Sequence, residues 1–201
     1  EEVKSFDKDF TIEALERFVF EIINEYKKWV LLKSELLKER NESIKSLKFP
    51  FENYRKGQKE LAIACFNTIK EKAVLFAQAP TGIGKTISTI FPAVKSLGED
   101  RGNRIVYLTA KTITRTVAEE SVNKLKANSL KCKSITLTAK EKICFKEKTV
   151  CNPENCEYAL NYYDKVNDAI FNILKEEDTF TREKIDKYAR REKLCPFELS
   201  L

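Results

Sequence analysis

Apolar positions Ile12, Leu15, Val19, Ile22, Ile23, Tyr26 and Val30 recur at helical spacing, which predicts one long helix over residues 12–39. Thr11 stands where a capping hydroxyl belongs, and Glu13 lies in the first turn, where the helix dipole favours a carboxylate. Unbroken, such a helix is about 42 Å long. Phe18, Phe20 and Trp29 on it fit a core or a docking face and carry no chemistry. Charge dominates from there to Lys48. Phe49-Pro50-Phe51 then ends the segment, because the residue before a proline is pushed out of helical backbone.

Beyond residue 50 the pattern switches to helices alternating with short apolar runs. A helix is predicted from Gly57 to Lys70, followed by a buried strand at Ala73-Val74-Leu75-Phe76-Ala77. The next helix runs toward Gly98, with Pro92 expected to kink it. A second strand spans Arg104–Thr109, a helix Thr114–Lys126, and a third strand Ser134–Thr138. Strand–helix alternation implies an α/β fold in which helices flank a parallel sheet. After Lys140 the strands stop, and two helices are predicted at 157–175 and 181–194. The expected organisation is a helical connector (1–48), the first part of an α/β domain (49–143), a helical insertion (144–195) and a return toward the α/β domain (196–201).

Composition narrows the chemistry. The 201 residues include no histidine, which removes Ser–His and Cys–His nucleophile pairs and any mixed Cys/His zinc site. They include no methionine either, so a piece of a longer protein is expected. No apolar run approaches the roughly 18 residues of a membrane span. Nor does an apolar core follow the start Glu1-Glu2-Val3-Lys4, so a cytoplasmic protein with no membrane partner is expected. Net charge is +6. Residues 101–150 alone carry twelve Lys and Arg against four Asp and Glu, a concentration that suits a polyanion-facing surface.

Two constellations carry candidate chemistry. Ala79-Pro80-Thr81-Gly82-Ile83-Gly84-Lys85-Thr86 lies between an apolar run and a helix and matches a phosphate-binding loop, with alanine in the first glycine's place. Gly82 and Gly84 let backbone N–H groups wrap a phosphate. Lys85 supplies a charge to the β- and γ-phosphates, Thr86 a hydroxyl ligand to magnesium, and the following helix aims its N-terminus at the anion. The second constellation is Cys144, Cys151, Cys156 and Cys195, three clustered thiols and one distant thiol followed by Pro196. The spacing lacks the close pairs of zinc knuckles and leans toward an iron–sulfur cluster, with zinc left open. Cys65 and Cys132 read as buried structural thiols.

Together the loop, the four cysteines and the closing Cys195-Pro196-Phe197 resemble the DinG/XPD-like iron–sulfur superfamily 2 DNA helicases, over about Phe49 to Leu201. The resemblance implies a partial RecA-like domain interrupted by a helical 4Fe-4S insertion, with Cys144, Cys151, Cys156 and Cys195 as the ligands. It implies ATP and Mg2+ held by residues 79–86. Arg55 and Gln58, in Tyr-Arg-Lys-Gly-Gln, match the family's adenine-recognising motif. Ala110-Lys111-Thr112 matches motif Ia, which puts Lys111 and Thr112 at the DNA backbone. Ala139-Lys140-Glu141-Lys142-Ile143-Cys144 matches the basic lead-in to the first cluster ligand, with Lys140 and Lys142 near DNA. Family members often have Ser-Arg at 139–140, so lysine here keeps the charge and loses a bidentate donor. Some relatives place a nuclease-like domain ahead of a segment such as 1–48.

The expected function is therefore ATP-driven translocation on single-stranded DNA, 5′ to 3′ if the resemblance extends that far. No Asp-Glu pair follows an apolar run of four, and a second RecA-like domain is missing, so these residues alone are expected to be inactive. Two other readings stand beside it: a P-loop ATPase with a zinc-binding insert, and a nucleic-acid-binding module with a vestigial loop.

Overall fold

The computed structural model describes Ser5, residues 7–110 and residues 112–201, leaving the side chains of Thr112 and Ile113 aside. The chain divides into two compact units, Glu1–Lys38 and Glu39–Leu201. Among the described residues no helix is long and apolar enough to cross a membrane.

The first unit is the beginning of α1 (Ile12–Ser46). Thr11 caps it as expected, its hydroxyl accepting the N–H of Ala14 at 3.2 Å. Phe10 and Phe18 stack at 5.7 Å, yet Phe18, Phe20, Ile22 and Ile23 remain exposed. Their periodicity marks an amphipathic face, and among the described residues of this unit nothing covers it. The helix also runs past its predicted end at residue 39. Glu, Lys, Arg and Leu are good helix formers, so the charged stretch that suggested a boundary continues the helix instead.

The second unit holds two cores. In one, Ile44 and Leu47 pack with Ile87, Ile90, Val94, Leu97, Leu125 and Leu130. The end of α1, assigned from sequence to a connector, is thus part of this core. It is fastened by Lys95, whose ammonium donates to the Ile44 carbonyl at 2.7 Å and satisfies an orphan acceptor of the helix end. Gly98 is required beside it, because a Cβ there would lie 2.5 Å from Ile44 Cγ2. The helices of this core region are α2 (Gln58–Lys70), α3 (Lys85–Leu97) and α4 (Thr112–Ala127). α3 stays helical through the buried Pro92, as its apolar face at Ile87, Ile90 and Val94 offsets the hydrogen bond proline removes.

The second core joins Ile143, Ala169, Ile173, Phe180, Ile185, Tyr188, Ala189, Leu194 and Leu199. It is built by α5 (Lys140–Ile143), α6 (Tyr162–Glu176), α7 (Arg182–Glu192) and α8 (Pro196–Ser200). Residues 144–195 thus pack around an apolar centre shared with Ile143 and Leu199 on either side.

The sheet departs most from expectation. Among the described residues it has two strands, β1 (Ser134–Ile135) and β2 (Thr179–Phe180), paired in parallel with Ser134 opposite Thr179. The strands predicted at 73–77 and 104–109 form no ladder. Val74 is 79% exposed, Phe76 94% and Leu108 87%. A helix closes its hydrogen bonds within itself, whereas a strand needs a neighbour, and neither apolar run has one among the described residues. β2 was not predicted at all; two residues after a Glu-Glu-Asp turn leave no periodicity to read.

The β1–β2 pair ties residues 179–180 to the chain before Lys140, and Lys126 reinforces the joint. Its half-buried ammonium donates to Ser134 Oγ (2.7 Å), the Asp178 carbonyl (2.6 Å) and Thr179 Oγ1 (2.6 Å). Burial pushes the Lys126 amine below the ordinary lysine range, against the pull of Cys132 and Asp178. Lys133 adds bonds to the Glu177 carbonyl and Asp178 Oδ1. Replacing Lys126 with methionine keeps the stem and removes three donors. Local opening of β2 and the start of α7 should then become easier by about 1–3 kcal/mol, read as faster amide hydrogen exchange at 179–185. Unchanged exchange there would mean that β1–β2 pairing holds the joint by itself.

Candidate functional site

The loop at 79–84 enters α3 through Gly84, which caps the helix in left-handed backbone at φ 83°, with Gly82 also at φ 83°. Side chains other than glycine rarely adopt this backbone, which explains the glycines the motif carries. Ala79 and Ile83 are half-buried, and Pro80 and Thr81 exposed. Lys85 is exposed at the helix start and bends back on the loop, donating to the carbonyls of Ala79 at 2.8 Å and Pro80 at 3.1 Å. The cation thus sits at the mouth of the loop, beside the helix N-terminus where an anion is favoured. Thr86 follows in the first turn, half-buried, its carbonyl accepting from the Thr89 hydroxyl at 2.9 Å.

Arg55 and Gln58 are brought to this loop from just before and at the start of α2. The Arg55 guanidinium donates to the Gly82 carbonyl. Gln58 is only 3% exposed, and its Oε1 accepts the backbone N–H of Arg55 at 3.0 Å.

The four clustered cysteines of the sequence are free thiols in different settings: Cys156 buried, Cys144 and Cys195 partly buried, Cys151 exposed. Cys144 ends α5 and Cys195 begins α8. The Lys140 ammonium lies near these thiols: Cys151 is the main cause of a pKa raised above the lysine norm, with Glu198 and Cys195 adding to the rise. The ammonium lies 4.0 Å from Glu198 Oε1 and 5.3 Å from the Phe197 ring centre. Beside Cys144, the Phe145 ring meets the Arg190 guanidinium at 3.9 Å and the Tyr158 ring at 5.0 Å. Among the described residues, however, no three acidic, histidine or cysteine side chains converge to hold a metal ion. The donor set fits thiolate ligation in kind. In this arrangement it is not drawn to one centre, and residues 145–161, which include Cys151 and Cys156, hold turns but no helix or strand.

A profile of the DEAD/DEAH box helicases matches residues 59–196, more than half of the chain and inclusive of the whole phosphate loop. The chain belongs to the DEAD/DEAH box helicase family. Over 81 residues, 40% of its length, it is 32% identical to a probable ATP-dependent helicase of Methanocaldococcus jannaschii, and that stretch spans 12% of the relative. No solved structure matches the chain. Membership implies a RecA-like fold, of which the described residues display the loop-bearing helices and a small parallel sheet.

Within this helicase chain the basic residues meet different fates. Lys111 lies outside the described residues, as does the side chain of Thr112. Lys140 is engaged by Cys151, Glu198 and Phe197, so it faces the cysteine region. Lys142 is exposed on α5, and its carbonyl accepts from Arg182 Nη2 at 2.5 Å. Arg182, at the start of α7, puts a second exposed cationic residue next to Lys142, a neighbour that sequence spacing could not reveal because it stands forty residues away. Cys132 is partly buried, its thiol pushed up by desolvation, and Cys65 is likewise partly buried with a raised pKa from the same cause.

Proposed function

We propose that this chain carries the nucleotide-binding part of an ATP-dependent helicase that moves along single-stranded DNA, 5′ to 3′ as its resemblance to iron–sulfur helicases suggests. The observation that carries the reading is the Lys85 ammonium held at the mouth of a glycine-turned loop that opens onto the N-terminus of α3. Incoming phosphates would take Lys85 from the carbonyls of Ala79 and Pro80, exchanging neutral acceptors for charged ones. The first-turn N–H groups of α3 and the backbone at 82–84 would bind the remaining oxygens. Thr86 would hold magnesium, which neutralises phosphate charge during transfer.

DNA as substrate is supported by the charge of residues 101–150 and by Lys142 and Arg182 exposed together. Neutralising Lys111, Lys140 and Lys142 together in the full-length protein should weaken single-stranded DNA binding and flatten its salt dependence by a slope of about 0.7 per lost phosphate contact. Lys142 should contribute more than Lys140, which is occupied elsewhere. An unaltered affinity and salt slope would reduce the basic stretch to a solvated face.

For the insertion we propose a 4Fe-4S cluster held by Cys144, Cys151, Cys156 and Cys195. The support is a four-thiol set in a chain without histidine, with Cys144 and Cys195 at the ends of α5 and α8, which share one core.

A further inference from the structure

We propose that the first turn of α7 is a subsite for one phosphodiester of the single strand, formed by Arg182 with Arg115 and Thr138 and occupied in the free protein by the carboxylate of Glu183. This subsite rests on the reading of single-stranded DNA as the substrate.

Charge along the sequence points away from this place, since residues 151–201 carry eight Lys and Arg against eleven Asp and Glu. Folding regroups the charges. The chain leaving β1 is pinned beside the start of α7 twice. The N–H of Thr136 donates to the Phe180 carbonyl at 3.0 Å, and Arg182 Nη2 donates to the Lys142 carbonyl at 2.5 Å. Thr138 lies on the chain between those two pins. It is 7% exposed, and its hydroxyl oxygen is buried without a hydrogen-bond partner. Arg115 reaches the same place from α4. Its Nε lies 3.6 Å from Glu119 Oε1, the oxygen that accepts the Thr136 hydroxyl at 2.6 Å. At that distance Glu119 pairs with the charge but takes no hydrogen bond, so Arg115 Nε is likewise buried without an acceptor. Leaving a buried donor unpaired is costly, and two of them beside one helix start point to an acceptor that comes from outside.

The cations of α7 divide in two. Lys184 pairs with Glu177 at 2.6 Å and Arg191 with Glu176 at 2.9 Å, which commits both to holding α6. Arg182 and Lys142 are exposed, and among the described residues neither joins an ion pair. The Arg182 bond goes to a neutral carbonyl, which orients the guanidinium and leaves its charge uncancelled. Glu183 stands beside it in the first turn, where the helix dipole favours an anion. Its own backbone N–H, then the Thr181 hydroxyl, hold the Glu183 carboxyl below the usual range, with Arg182 and Arg115 adding to the effect. Helix N–H groups, a hydroxyl and guanidinium groups are what a phosphate oxygen binds, and an exposed carboxylate on a rotatable stem can be displaced by one.

The test is oligothymidylate binding to the full-length protein across a salt series, followed by fluorescence anisotropy. Arg182→Gln and Arg115→Gln should each weaken binding and lower the salt slope by about 0.7, the share of one phosphate contact. Glu183→Gln removes the competing carboxylate and should strengthen binding by about two- to fivefold. A role confined to stabilising α7 predicts the opposite sign, because the helix then loses a favourable first-turn charge. Glu183 is exposed, so its variant decides the matter even where an arginine variant does not fold. Binding that Glu183→Gln leaves unchanged or weakens would overturn the subsite, as would an unaltered salt slope in a folded Arg182→Gln protein. Failure of the DNA reading looks different: the wild-type protein would then not hold oligothymidylate even at low salt, and the subsite would fall with it.

Discussion

Lys85→Ala in the full-length protein is expected to lower ATP turnover by a hundredfold or more, on the order of what removing one charge-stabilising donor costs at a reacting centre. The lysine is the one cation that the loop itself presents at its mouth, and it is placed there by the turn at Gly84 and the start of α3. Its removal should leave the fold intact, since an exposed side chain bonded to two loop carbonyls contributes little to either core. Single-stranded DNA affinity should change little, because the basic residues assigned to DNA stand on other elements. Steady-state turnover and DNA binding measured on the same preparation check both halves. Undiminished turnover would remove the phosphate-loop assignment.

The second large effect concerns metal. Protein purified without oxygen should carry about four irons and four sulfides per chain, one iron for each of the four thiolates. Serine at any one of Cys144, Cys151, Cys156 or Cys195 should bleach it, whereas Cys65→Ser and Cys132→Ser should keep the colour. The structure refines where the loss is felt. α6 and α7 share a core with Ile143, Phe180 and Leu194, so they should stay protected in hydrogen exchange without the metal. Residues 145–161 have turns, the Phe145 contacts and the exposed Lys146–Glu157 ion pair but no helix or strand, so protection should fall there. Elemental analysis decides: stoichiometric zinc without iron, in protein never exposed to air, would assign the thiols to a zinc site.

Much of the helical organisation was legible in the residues. The long first helix and its Thr11 cap, the helix leaving the phosphate loop and the pair of helices in the insertion all follow from apolar spacing and end signals. So did the loop itself, because its glycines, lysine and threonine must be contiguous to wrap one phosphate group. Helix ends were less legible. The charged residues before Lys48 suggested a boundary, but they are also helix formers, and Ile44 and Leu47 found a core that only the packing of α3 and α4 creates.

The strands mark the other limit. Val74, Phe76 and Leu108 carry strand-like sequence, yet local composition cannot supply the partner a ladder requires, and among the described residues they lie open to solvent. β2, by contrast, has almost no sequence signal and exists because β1 and Lys126 meet it from over forty residues away. The same holds for Arg55 and Gln58. Their identity suggests adenine contacts, and only packing sets Arg55 on the Gly82 carbonyl and Gln58 next to Gly84. The sequence by itself determined the structures whose hydrogen bonds close within a few residues: the helices, their caps and the phosphate loop. Tertiary structure alone decided strand pairing, the joint at Lys126 and the place of Gln58 beside Gly84, because each depends on a polar group or an apolar face that becomes a neighbour only when distant segments pack together.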